Sequence, residues 1–267
     1  MRAPVVANRF YPGSQSDLIR TIEAMTPQIA ADDKQDAIAV ISPHAGYVYS
    51  GSVSAETVAR VNVPDTVVIL GPNHHGRGEP LALGIEDWSM PMGDVPVNKK
   101  LATLILKNST VITEDENAQE YEHSLEVQVP FLQFYNSSLQ IVPIVVSHVP
   151  YSVCREAARD IASAIREFGQ PVLLLASTDM THYESRLDAT RKDHQALERI
   201  EAMDPRGLYD TVIGNRISMC GIMPTTIVLL AAMELGAIRA ELVRYTDSGE
   251  ASGDTSQVVG YAGLILK

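Results

Sequence analysis

Cysteine is nearly absent: the 267 residues hold two, Cys154 and Cys220. Two thiols cannot build a disulfide framework, so the chain reads as a cytoplasmic protein with reduced cysteines. Long hydrophobic runs are missing as well. The longest, such as Thr225–Met233, fall far short of the about 20 residues that cross a bilayer. The start, MRAPVVANRFYPG, has no apolar core of the secretory kind. The sequons at Asn108 and Asn136 therefore carry little meaning. Basic runs are missing too. Lys and Arg total 21 against 33 Asp and Glu, a net charge of −12. Such a surface repels phosphate backbones and anionic lipid, which sets nucleic acid and membrane aside as partners.

What is present is ordinary globular material, with 45% hydrophobic and 20% charged residues, close to the average for packed domains. Short β-branched runs alternate with amphipathic stretches. Ala37–Ile41, Thr66–Leu70, Gln140–Val146 and Val172–Ala176 have the length and turn-rich flanks of strands buried on both faces. Ala240–Tyr245 and Val258–Leu266 are expected to close the sheet. Leu81–Val97 is expected to hold a hairpin or an extended excursion.

Helices fit between these runs. Ser14 or Ser16 caps one carrying Leu18, Ile22 and Met25. Val153, Ala157, Ile161 and Ile165 form one stripe, with Gly169 as its stop. Asp204-Pro205 opens a third that ends at Gly214, and Pro224 a fourth that ends near Gly236. Asp247–Gln257 reads as a mobile surface loop. The alternation predicts one α/β domain over residues 1–267, with a central, largely parallel sheet flanked by helices.

Histidines collect behind the predicted strands. His44 follows the first, in SPHAGYVYSG; His74 and His75 follow the second, in GPNHHG. His182 follows the fourth, in STDMTH, with Asp179 three residues before it. Open α/β sheets bind ligands beyond the carboxyl ends of their strands, so separate loops deliver these imidazoles to one edge. Neighbouring residues diverge, so one member of the His74-His75 pair is expected to face a site. Cys220, in MCGIMP, precedes a helix start, where a thiolate is favoured. Cys154 reads as a small buried hydrophobe, His148 as a loop residue and His194 as a solvated helix residue.

A second group is Glu122, His123 and Glu126 in EYEHSLEVQVP. Spacings of three and four place them together on a helix, where they orient a ligand or touch a substrate. The competing reading is a capped surface helix whose Leu125, Val129 and Leu132 face the core.

RFYPGS, SPHAGYVYSG, GPNHH, EHSLEVQVP, STDMTH and MCGIMP together resemble the Memo family, also called AmmeMemoRadiSam system protein B. The motifs stand in the family's order from about residue 8 to the C-terminus. The family is similar in fold to class III extradiol ring-cleaving dioxygenases. The resemblance implies a metal held by His44, His75 and Cys220. It implies acid/base work at His182 and Asp179, and substrate contacts at His123, His74 and Glu126. It suggests iron as the metal, with copper competing; the donor types also suit zinc. It further implies a radical-SAM protein and an AMMECR-like protein as partners.

Three functions follow as expectations. One is redox chemistry at an iron or copper site on a small molecule. Another is a zinc hydrolase, with His182 or Glu126 as base. The third is a non-catalytic module that binds a peptide or partner in the same pocket.

Overall fold

The computed structural model describes residues 1–30 and 33–267. The apolar runs become strands that are buried along their length. β1 (Ala39–Ser42), β2 (Thr66–Pro72), β5 (Gln140–Val146) and β6 (Val172–Ser177) form the centre. Of their residues only Gln140 and Val172 are less than fully buried, which places protein on both faces. These four lie parallel in the order β5-β2-β6-β1.

Antiparallel strands flank the parallel core. β3 (Leu81–Leu83) runs against β5, and the two-residue β4 (Thr113–Glu114) pairs parallel with β3. On the other side β9 (Val258–Leu266) runs against β1 and also against β8 (Ala240–Asp247). β7 (His182–Glu184) pairs with the start of β9 through a register shift.

The helices start and stop where their end residues dictate. Ser14 caps α1 (Gln15–Met25), accepting from the Asp17 N–H. Asn98 does the same for α3 (Lys99–Asn108). α5 (Tyr151–Phe168) ends at Gly169, whose φ of 69° is the left-handed conformation that glycine takes without strain. Asp204 caps α7 (Pro205–Gly214), and Ser185 caps α6 (Arg186–Glu201). α8 (Ile222–Glu234) begins two residues before Pro224, because proline fits the open first turn of a helix. It packs on β1, β2 and β6, with α5 and α7 against it and α3 beyond α5. α2 (Tyr47–Ala59) covers β1, β8 and β9, with α1 and α4 (Val129–Tyr135) beside it.

Leu81–Val97 is the expected excursion, one short strand of the main sheet followed by an antiparallel Trp88–Val95 bridge. Two local expectations change. The segment after Asp247 holds a one-turn helix, α9 (Gly249–Ser252), before it reaches β9. The stretch around Glu122 is a run of turns, and helix-like structure begins only with a 3-10 turn at Glu126–Gln128. Glu122 and Glu126 therefore do not share a helix face. Among the described residues no helix is long and apolar enough to cross a membrane.

Candidate metal centre

The parallel strands end at one edge, and their last residues build the site. β1 runs into His44, β2 into His74, and β6 into Asp179. The turn carrying Glu122 and His123 packs on the end of β2. It can do so because residue 71 is glycine: a Cβ there would lie 2.5 Å from Ser124 Oγ.

One donor atom each from His44, His74 and His123 lies within 4.8 Å of the others. The rings of His74 and His123 stack at 4.7 Å, and His44 stands edge-on to both at 5.2 and 5.8 Å. His44 is buried, His123 half-buried, and His74 reaches the surface.

Hydrogen bonds fix which nitrogen each ring offers. Ser177 Oγ donates its only proton to Ser124 O at 2.6 Å. Ser177 Oγ in turn accepts from Gln128 Nε2 at 2.8 Å. His44 Nδ1, 2.9 Å from Ser177 Oγ, must then also donate to it. His74 Nδ1 donates to Glu122 Oε1 at 2.8 Å, and the His74 N–H to Glu122 Oε2 at 2.7 Å. His182 Nδ1 faces two carbonyl oxygens, Met180 O at 2.7 Å and Ser218 O at 2.9 Å. In the neutral form of all three rings the proton sits on Nδ1, which leaves Nε2 as the nitrogen able to bind a metal; Nε2 of His44 faces the Cys220 sulfur.

The electrostatics keep most of these groups ready. Burial, helped by the neighbouring His74, holds His44 well below the usual imidazole range. Burial and His44 push His123 down to about 4. His74 differs: burial would lower it, but the hydrogen bond and charge of Glu122 outweigh that and raise it. Burial would likewise raise Glu122, yet the His74 contact pulls it down to about 2. Glu122 is thus a fixed anion beneath two imidazoles, 3.6 Å from His123 Nδ1.

Cys220 stands on the His44 side. Its Sγ lies 3.4 Å from His44 Nε2 and accepts from the Asp179 N–H at 3.2 Å. Tetrahedral N and S ligands of one ion lie about 3.6 Å apart, from bonds of about 2.1 and 2.3 Å, a spacing this pair matches; yet Cys220 is outside the three-histidine group, and burial pushes its thiol up, against the thiolate expected at a helix start. Gly221 makes the approach possible, since a Cβ there would lie 2.4 Å from Thr178 Cβ. Asp179 Oδ1 accepts the His44 N–H at 2.8 Å, and burial raises its carboxyl. Imidazole nitrogens with a thiol alongside are a donor set that suits iron, copper and zinc.

Two expected site residues lie elsewhere. His75 is exposed, with its ring 6.4 Å from that of Tyr121. The Glu122 carboxylate holds both the backbone and the ring of His74, and the next side chain diverges. The group that could hold a metal thus contains His74 and not His75. Glu126 is fully buried and faces the N-terminal segment, paired with Arg2 at 2.8 Å. Ser177 and Ser218, which set two of the tautomers, carry no local signal: Ser177 is 133 residues from His44, and Ser218 is 36 from His182.

The fold and this cluster define an α/β protein with a candidate metal centre at the carboxyl edge of its parallel strands. The family model for Memo-like protein matches residues 2–265. A MEMO1 family protein of Methanococcoides burtonii is 40% identical over 268 residues, covering 100% of both chains. Another, from Methanopyrus kandleri, is 38% identical over 279 residues, covering 100% of this chain and 99% of its own. The crystal structure of an uncharacterized protein from Escherichia coli K12 has a similar fold, with a TM-score of 0.57 at 16% identity. That match covers 84% of this chain and 98% of the other. The chain belongs to the Memo family.

Proposed function

We propose that His44, His74 and His123 hold one metal ion and that the chain is a metal-dependent oxidoreductase acting on a small molecule. One observation carries the reading. His44 and His74 each have Nδ1–H committed to a fixed acceptor, which leaves Nε2 as the nitrogen each ring can offer a metal, and the two rings stand with His123 in one group whose donor atoms lie within 4.8 Å of one another. Cys220 is a further donor beside His44, and a thiol there favours iron or copper over the harder cations. When bound, such an ion supplies electron transfer and oxygen chemistry.

The protein's own groups do the rest. Glu122 orients His74 and balances the charge of the site. Asp179 holds the His44 backbone. His182 carries a free Nε2 at the rim and moves a proton to or from the bound substrate. The likeness in fold that the family resemblance implies to ring-cleaving dioxygenases supports oxygen as co-substrate.

Metal analysis of protein purified without oxygen tests this. His44→Ala and His74→Ala should each lower metal content at least about tenfold, because each removes a ligand. His75→Ala should leave it unchanged. Full metal content in His44→Ala and His74→Ala overturns the assignment.

A further inference from the structure

A groove of about 640 Å3 begins where the histidine cluster ends. Phe10 belongs to both: it lines the groove, and its ring stands edge-on to His123 at 5.0 Å. Tyr47 and Val48 line it just beyond His44 in the chain, with Tyr49 and Met25 completing an aromatic and apolar wall. Val48 is 70% exposed and Tyr49 43%, an unusual outlay of apolar surface in one place.

The charge of the groove is the second observation. The chain is strongly acidic, and the grooves elsewhere carry carboxylates: Glu156, Glu86, Asp36 and Asp254 each line one. This groove has none, and its one charged group is Arg9. Nearby arginines are taken, Arg2 by Glu126 and Arg20 by Asp17. Arg9 has no such partner among the described residues. The loop that presents it is held in shape: the Asn8 N–H donates to Tyr11 O, and Asn8 Oδ1 accepts from the Gly13 N–H. Phe10 O accepts from the Tyr47 N–H at 2.8 Å, tying the loop to the start of α2.

We infer that this groove binds an aromatic carboxylate, with its ring against Phe10 and Tyr49 and its acid group on the Arg9 guanidinium. The ring supplies flat apolar area that stacks on the aromatic wall. The carboxylate supplies the bidentate acceptor that a guanidinium lacks here. The volume admits such a ligand with room to spare. The inference rests on the metal-centre reading for what becomes of the ligand, and not for whether the ligand binds.

The test uses the full chain, with and without added iron, and phenylacetate as probe, followed by ligand-observed NMR and calorimetry. Phenylacetate should bind in both states. Phenylacetamide, the same shape without charge, should bind at least about tenfold more weakly, the usual worth of a charged hydrogen bond. Arg9→Ala should erase that difference, and Tyr49→Ala should weaken phenylacetate while acetate remains a poor ligand. Equal binding of acid and amide overturns the proposal, as does phenylacetate binding that Arg9→Ala leaves intact. Phenyl phosphate binding in place of phenylacetate overturns the carboxylate assignment. Binding seen only with iron, and indifferent to Arg9, places the ligand on the metal and overturns the groove. Arg9-dependent binding in a chain that takes up no metal supports the groove and refutes the metal centre, so the two readings fail separately.

Discussion

Glu126 and Glu122 stand four residues apart, both buried, and both accept several hydrogen bonds. Around Glu126 the carboxylate itself is fully engaged, though Trp88 Nε1 and Gln119 Oε1 nearby are buried without a partner. Its carboxylate takes Arg2 Nη1, the Val5 and Val6 N–H groups and the Tyr11 hydroxyl at 2.7 to 3.0 Å. Arg2 spends its other nitrogens on Gln119 O and Glu122 O, and its guanidinium lies 4.2 Å over the Trp88 ring. Around Glu122 the carboxylate is equally engaged, by the His74 and Ser124 N–H groups and His74 Nδ1, but His74 Nε2 is left without a protein partner. Closed bonding marks a knot that holds the N-terminal segment down. Open bonding, enforced by partners behind it, marks a site waiting for a ligand.

Substitutions at the two carboxylates should pull these roles apart. The larger effect is expected at Glu126. Glu126→Ala leaves Arg2 buried without its anion, and a broken buried pair costs about 3–5 kcal/mol. Urea unfolding should show that loss, while metal affinity of the folded fraction stays near wild type. A fall in affinity that matches the fall in stability would merge the two clusters into one. Glu122→Gln should do the reverse. It weakens the acceptor of His74 Nδ1, and losing such a partner typically costs 10–100-fold in metal affinity. Its effect on unfolding should be the smaller one. A pH series sharpens the point. Glu122 sits at about 2 against an ordinary 4.5, so its contribution is complete above about pH 4.5 and fades as pH falls toward 2. Stability of Glu122→Gln should vary less across that window.

The same contrast explains what could be read in advance. Strands β5 and β9 begin and end where the β-branched runs do, because strands buried on both faces must be apolar throughout. The caps at Ser14, Gly169 and Asp204 were legible because a helix end is a local event. The convergence of His44, His74 and Asp179 on one edge followed from their places just behind strand ends of a largely parallel sheet. The choice of His74 over His75 did not, since Glu122, 48 residues away, decides it. Nor did the fate of Glu126, whose partner Arg2 is 124 residues away. The spacing of Glu122 and Glu126 imitates a helix face, and tertiary bonds to both residues replace that helix with turns.

The most direct test of the metal centre is anomalous diffraction from crystals of metal-replete protein, collected across the iron, copper and zinc edges. One peak is expected, at the edge of iron or copper, bounded by Nε2 of His44 and His74 and by the His123 ring. A peak at His75, or a metal-replete protein with no peak beside His44 and His74, would contradict it.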